Sequence, residues 1–172
     1  MATDGEPEIV SYQDAYHYKV PITKENGVQY YRFLNVDTLS TIAKQARSCD
    51  VRPSDMISLC MKEGVEYVFG HPTVPFVGCM EESEAITKRE ESYGPFHINL
   101  FAHGENIDEK GARDIQKSSE YVCSMLKMNG YNKHDELSRR LALEAHNSRG
   151  QTKYGWDAYY LSESMNWINK KY

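Results

Sequence analysis

The chain has 172 residues, of which 40% are hydrophobic and 26% are charged, with a formal net charge of -5. This length suits one domain with a sizeable core. The acidic balance argues against a nucleic-acid-binding protein, which would need a basic face for phosphate contacts. No apolar run is long enough to predict a membrane-spanning helix. The first eight residues are acidic and polar, unlike a secretory leader, so we expect synthesis in the cytoplasm.

The first predicted element is a β-hairpin that follows a loose acidic arm at residues 1–11. Two β-prone runs, residues 16–23 and 28–36, flank an Asn-Gly pair at 26–27. Asn-Gly favours a type I′ turn, because both central residues of that turn need positive φ. Pro21 predicts that the first strand of the hairpin lies at a sheet edge, since proline cannot donate a ladder hydrogen bond.

From Asp37, the expected helix cap, the pattern becomes helical, with apolar residues at i, i+3, i+4 and i+7. These are Leu39, Ile42, Ala43 and Ala46. Pro53-Ser54-Asp55 predicts the start of a second helix that runs to about Phe69 or Gly70. Residues 71–96 are expected to be irregular or partly β. Further helices are predicted at residues 108–128, 135–146 and 154–168.

The predicted fold is therefore mainly α (α+β), with an N-terminal hairpin and an irregular or small β segment after the second helix. Residues 1–36 form the arm and hairpin, and residues 37–172 form the main domain. The cysteines show neither a CxxC motif nor zinc-ligand spacing, so we expect four reduced thiols, with a disulfide as the alternative if the protein is released from the cell. They are Cys49, Cys60, Cys79 and Cys123. No metal or other cofactor is predicted.

One glutamate of the second helix, Glu63, falls at the edge of the apolar arc on a helical wheel, between Met56 and Leu59. A carboxyl in such surroundings loses solvation when it ionises, which raises its pKa and suits it to act as a general acid. The alternative interpretation is a helix-edge glutamate whose carboxylate reaches solvent.

Three motifs occur in order along the chain: Lys62-Glu63-Gly64, then Ser92-Tyr93-Gly94-Pro95-Phe96-His97-Ile98-Asn99, then Ala145-His146-Asn147-Ser148-Arg149-Gly150. Together they resemble the lysozyme-like superfamily of goose-type lysozymes, soluble lytic transglycosylases and phage muralytic domains. In that family an apolar helix ends in Glu-Ser-Gly, a Ser-x-Gly-Leu-Met-Gln-Ile-Asn turn follows, and a later helix carries Ala-Tyr-Asn-x-Gly. The resemblance covers roughly residues 53–150.

The resemblance implies a peptidoglycan-degrading glycosidase in which Glu63 is the general acid at the β-1,4 bond between N-acetylmuramic acid and N-acetylglucosamine. It also implies a set of substrate-binding residues: Ser92, Tyr93, Gly94, His97, Asn99, His146, Asn147 and Tyr154. The chain departs from the family at Gly64, which replaces serine, at His97, which replaces glutamine, and at His146, which replaces tyrosine. Other aromatics of the tail could border the groove, but we expect Trp156, Tyr160 and Trp167 to be core residues.

A second catalytic carboxylate is a further expectation, because glycosidases usually use two. The nearest candidates are Glu90 and Glu91, directly before Ser92. Lytic transglycosylases of this superfamily use one glutamate, since the 6-hydroxyl of the sugar closes a 1,6-anhydro ring. The sequence leaves both mechanisms open.

The expected partner is the glycan strand of peptidoglycan, with no nucleic acid and no membrane span. The expected role is that of a phage endolysin or a virion-associated wall-opening enzyme, with the hairpin available to a virion or other protein. One alternative is a catalytically inactive lysozyme-like adaptor, which the substitutions at His97 and His146 would allow. Another is an unrelated helical interaction module that carries the three motifs by chance.

Overall fold

The computed structural model describes residues 5–23, 27, 29–63, 76–81, 91–146 and 151–172, without the side chains of residues 23, 29, 30, 63, 76 and 77. These residues form a mainly α fold with two small sheets, as predicted. The strands are β1 Ile9–Tyr12, β2 Ala15–Thr23, β3 Gln29–Asn35, β4 Phe76–Val77, β5 Ser92–Tyr93 and β6 Ile98–Asn99. The helices are α1 Val36–Ser48, α2 Pro53–Glu63, α3 Leu100–His103, α4 Glu109–Arg113, α5 Ile115–Met128, α6 Glu136–His146, α7 Thr152–Ser164 and α8 Asn166–Lys171.

The predicted hairpin is confirmed as β2 and β3, which belong to a sheet of order β1-β2-β3-β4. The expectation of a loose arm is wrong from Ile9 onward, because β1 pairs antiparallel with β2. This makes β2 an inner strand, contrary to the edge position predicted from Pro21. The paired register of β1 stops at Tyr18, however, so Pro21 lies beyond it and costs no bond to β1.

Helix α2 lies at the centre of the helical core, packed against α1, α5, α7 and α8. Every residue from Pro53 to Met61 is buried, so this helix has no solvent face over that length. The apolar face predicted for α1 is confirmed, but its cap is Asn35 and not Asp37. The Asn35 Oδ1 accepts from the backbone nitrogens of Asp37 and Thr38 at 2.9 and 3.0 Å, which satisfies two donors of the first turn.

A buried ionic network joins α2 to α6 and α7. The Asp55 carboxylate, fully buried, accepts two hydrogen bonds from Arg139 at 2.9 and 3.1 Å and one from the Ser162 hydroxyl at 2.6 Å. The Tyr131 hydroxyl donates to the same carboxylate, and Arg139 also donates to Glu163 at 2.7 Å. Burial, followed by the charge of Asp55, raises the pKa of Tyr131, so the phenol is neutral and serves as a donor. Each buried polar group of this network therefore has a partner.

The prediction of four reduced thiols is wrong. Cys49 is bonded to Cys123 and Cys60 to Cys79, with Cα atoms 6.4 and 5.2 Å apart. These separations fall within the range that a disulfide can bridge. The bridged residues are 74 and 19 positions apart in the sequence, and loop-closure entropy alone would give about 4 and about 3 kcal/mol of stabilisation.

Two predicted helices are each divided in the structure. The helix expected over residues 108–128 breaks at Asp114, whose carboxylate accepts from Lys117 N at 2.8 Å and caps α5. The tail breaks at Met165 between α7 and α8. Trp167 is buried as expected, whereas Trp156 and Tyr160 are 38% and 61% exposed, so their assignment to the core is wrong. The predicted extension of α2 to residues 69–70 lies outside the described residues.

Candidate functional site

The first of the three motifs begins with the last two described residues of the central helix, Lys62 and Glu63. Burial of α2 continues through Met61, Lys62 is partly exposed, and Glu63 is the last described residue of the helix. The Lys62 ammonium lies 5.0 Å from the ring centroid of Tyr154 and 3.6 Å from the Asp157 carboxylate, both on α7. The backbone of Glu63 therefore lies beside the first turns of α7, next to Tyr154, one of the predicted substrate-binding residues.

The second motif forms the β5–β6 hairpin and the turn that joins its strands. Gly94 has φ +80°, and a Cβ at this position would lie 1.8 Å from the carbonyl oxygen of Ala112, so only glycine fits against α4. The His97 nitrogen donates to the Gly94 carbonyl at 3.1 Å, and Phe96 anchors the turn in the core. On one strand Ser92 is buried, and Tyr93 stacks on Arg113 with 4.8 Å between guanidinium carbon and ring centroid.

The third motif meets the helix that follows this hairpin. His146, in the last turn of α6, lies near enough to His103, in the last turn of α3, for the charge of His103 to affect its pKa. The Nδ1 of His103 shares a 2.6 Å hydrogen bond with the Tyr121 hydroxyl. Desolvation lowers the pKa of His103, and desolvation followed by the charge of His103 lowers the pKa of His146 to about 4. Both imidazoles are therefore neutral at pH 7.

A polar groove of about 630 Å³ lies against Tyr121, between residues 104–108 and α5. Its polar lining consists of the Asn106 amide, the Tyr121 and Ser124 hydroxyls, the Lys117 ammonium and the carboxylates of Glu105, Asp108 and Glu120. Side chains of these types can donate to and accept from the hydroxyl groups of a sugar. The groove is thus next to the histidine pair and chemically suited to a polar ligand.

The structure separates the predicted site residues into three groups. Tyr154 lies next to Lys62 of α2, and His146 lies near His103 of α3. Asn99 caps α3, with its Oδ1 accepting from Phe101 N at 2.8 Å, and Glu91 is exposed before β5. Glu90 and Asn147 lie outside the described residues, as does the Glu63 carboxyl group. The described carboxylate that contacts this end of α2 is that of Asp157, which pairs with Lys62 at 3.6 Å.

Two residues beside predicted site elements were not selected from the sequence: His103, near His146, and Arg32, which contacts Met61 of α2. His103 was hidden because it lies between the second motif and the next predicted helix. Arg32 is buried in β3 on the same face as Leu34, and its guanidinium donates through Nη1 to the Met61 carbonyl of α2. The signal was available, because side chains alternate between the two faces of a strand and Arg32 shares the parity of Leu34.

The loss of stability in acid is expected to depend on His146. The pKa of a histidine in the unfolded chain is about 6.5. Above this pH, His146 is neutral in the folded and in the unfolded state, so its full contribution to stability is present. As pH falls from about 6.5 towards the folded value near 4, the unfolded chain takes up a proton that the folded protein resists. The free energy of unfolding should fall by roughly 2 kcal/mol over this window, allowing for partial exposure.

Urea unfolding of wild type and His146→Asn at several pH values between 7.5 and 4 measures this contribution. The variant should show a flatter pH dependence, and His134→Asn, at an exposed histidine, provides the matched control. Equal slopes for wild type and His146→Asn would contradict the assignment.

Comparisons with known proteins do not extend these observations. A scan against protein-family models, a search of curated proteins and a search of solved structures each gave no match. Among the described residues no helix is both long and apolar enough to cross a membrane. The same residues contain no group of three or more histidine, cysteine or acidic side chains that could hold a metal ion. Function is therefore argued from the residues and their geometry.

Proposed function

We propose that the protein is a peptidoglycan-degrading glycosidase, either a muramidase or a lytic transglycosylase, in which Glu63 is the general acid. The observation that carries the proposal is the position of Glu63 as the last described residue of α2, a helix that is buried on all sides through Met61. A rigid, fully packed helix holds the backbone of a catalytic residue in one place, as proton transfer to a glycosidic oxygen requires.

The surroundings of this helix end support the proposal. Tyr154 offers a ring next to Lys62, and the predicted binding residue His146 and its neighbour His103 carry neutral imidazoles. The polar groove at Tyr121 would extend the binding surface along the glycan. Imidazoles, hydroxyls and an aromatic face can bind the hydroxyl groups and ring faces of sugars, and the carboxylates of Glu105, Asp108 and Glu120 add further acceptors.

The two disulfides support action outside the cytoplasm, where the peptidoglycan is found. Disulfides persist in oxidising compartments and are reduced in the cytoplasm of most cells. The described residues contain no free cysteine, and both bridges join elements of the core. An enzyme that is made inside the cell and matures after release, as an endolysin or as part of a virion, would fit this chemistry.

Mass spectrometry of digested peptidoglycan tests the proposal. Purified sacculi from a Gram-negative and a Gram-positive bacterium are incubated with the oxidised protein, and the soluble muropeptides are analysed. Products that carry 1,6-anhydro-muramic acid would identify a transglycosylase, and products with reducing muramic acid a hydrolase. Absence of soluble muropeptides from both wall types would overturn the proposal and favour the inactive adaptor.

A further inference from the structure

The N-terminal sheet buries an arginine against the central helix. Arg32 is 6% exposed and lies in β3 opposite Val20 of β2 and Phe76 of β4. Burying a guanidinium costs free energy unless hydrogen bonds replace its hydration. The guanidinium of Arg32, at a core-facing strand position, therefore needs hydrogen-bond acceptors within the fold.

The partner of Arg32 is the backbone of α2 close to Glu63. Its Nη1 donates to the carbonyl oxygen of Met61, two residues before Glu63 in the same helical turn. A hydrogen bond from a buried cation is stronger than one between neutral groups, and the low dielectric of the core strengthens it further. Arg32 thus restrains the stretch of α2 that directly precedes Glu63.

A covalent tie joins the same sheet to the preceding residue of α2. Cys60 is bonded to Cys79, and the residue before Cys79, Gly78, donates from its nitrogen to the Phe33 carbonyl at 3.0 Å. The sheet is consequently attached to α2 at two consecutive residues, Cys60 through a disulfide and Met61 through Arg32.

We propose that Arg32 is a positioning residue for the glycosidase reaction, and that the N-terminal sheet belongs to the catalytic unit. This inference rests on the proposed function of Glu63. Arg32 holds the last described turn of α2, and through it the backbone that sets the direction of the Glu63 side chain. A misplacement of about 1 Å at a reacting group can cost on the order of 100-fold in rate.

The test compares two arginines that donate to helical carbonyls. Arg32→Met keeps an unbranched apolar stem but removes the charge and the donors. Its kcat on soluble, uncross-linked glycan strands is expected to fall roughly 10- to 100-fold, with KM changed by less than about twofold. The matched control is Arg47→Met, because Arg47 donates to the Tyr172 carbonyl at 2.9 Å and to the Asn169 carbonyl of α8. The control should keep the wild-type kcat below its melting temperature.

Hydrogen exchange gives a readout that does not need activity. The peptide that spans the last turn of α2 should exchange faster in Arg32→Met than in wild type or in Arg47→Met. If Arg32→Met does not fold, Arg32→Gln, which keeps an amide donor, takes its place with an intermediate kcat expected.

The outcomes separate the two proposals. An active wild type together with an unchanged kcat or unchanged exchange in the folded Arg32 variant would overturn the positioning role alone. A fall in kcat that Arg47→Met reproduces would overturn it as well. A wild type that cleaves no glycan would overturn the proposed function, and the positioning role with it.

Discussion

Replacing Glu63 by glutamine is expected to abolish peptidoglycan cleavage while the protein stays folded. Glutamine has nearly the shape of glutamate but cannot deliver a proton to the glycosidic oxygen, and loss of a general acid typically costs 10²- to 10⁴-fold in rate. Release of soluble muropeptides from sacculi measures the activity, and the melting temperature of the variant shows whether the fold is intact. The reason for this expectation is that Glu63 is the last described residue of the buried helix α2.

Two further variants make the result specific. Glu8→Gln changes an exposed glutamate outside β1 and should leave the rate unchanged. Glu91→Gln tests the candidate for a second carboxylate. A large loss would favour a two-acid mechanism, and an unchanged rate would favour the single-acid transglycosylase route. If Glu63→Gln still lyses the wall at the wild-type rate, Glu63 is not the acid.

Replacing Asp55 by alanine is expected to destabilise the protein by about 3–5 kcal/mol, as removal of one partner of a buried ion pair typically does. Arg139, 3% exposed, would keep only its bond to Glu163, and the hydroxyls of Tyr131 and Ser162 would lose their acceptor. Urea unfolding measures the loss. Glu109→Ala, which breaks an exposed pair with Arg113, should cost at most about 0.5 kcal/mol and is the matched control.

A second substitution in the Asp55→Ala background separates the charge from the packing. Adding Arg139→Met removes the buried cation that Asp55→Ala leaves behind. The double variant should therefore recover part of the lost stability, because an unpaired buried charge costs more than an apolar side chain of similar volume. A double variant less stable than Asp55→Ala would show that packing of Arg139, including its stacking on Tyr159, outweighs its charge.

Local sequence patterns predicted most of the secondary structure. The Asn-Gly signal located β2 and β3, and the spacing of Leu39, Ile42, Ala43 and Ala46 located the buried face of α1. Gly94 belonged to the second motif, and the contact with Ala112 that requires glycine at this position is tertiary. Patterns failed where two helices meet without a change in periodicity, as at Asp114, because capping by a side chain can end one helix and begin the next.

The motifs of the candidate site could be found in the sequence, but the contacts between its residues could not. The sequence selected Glu63, the 92–99 motif and His146 as candidates, but it could not identify His103 as the neighbour of His146. It also could not show that Trp156 and Tyr160 are exposed, since a helical wheel gives the spacing of side chains and leaves open which face a neighbouring helix covers.

The sequence by itself determined one mainly α domain with an N-terminal hairpin, because strand alternation, helix periodicity and turn residues act over a few neighbouring positions. Only the tertiary structure decided the disulfide pairing, the Asp55–Arg139 network and the bond from Arg32 to Met61. Each of these joins residues at least 19 positions apart, and their approach depends on how α2 packs in the core. The hairpin, which had no evident purpose in the sequence, is thereby attached to the helix that carries Glu63.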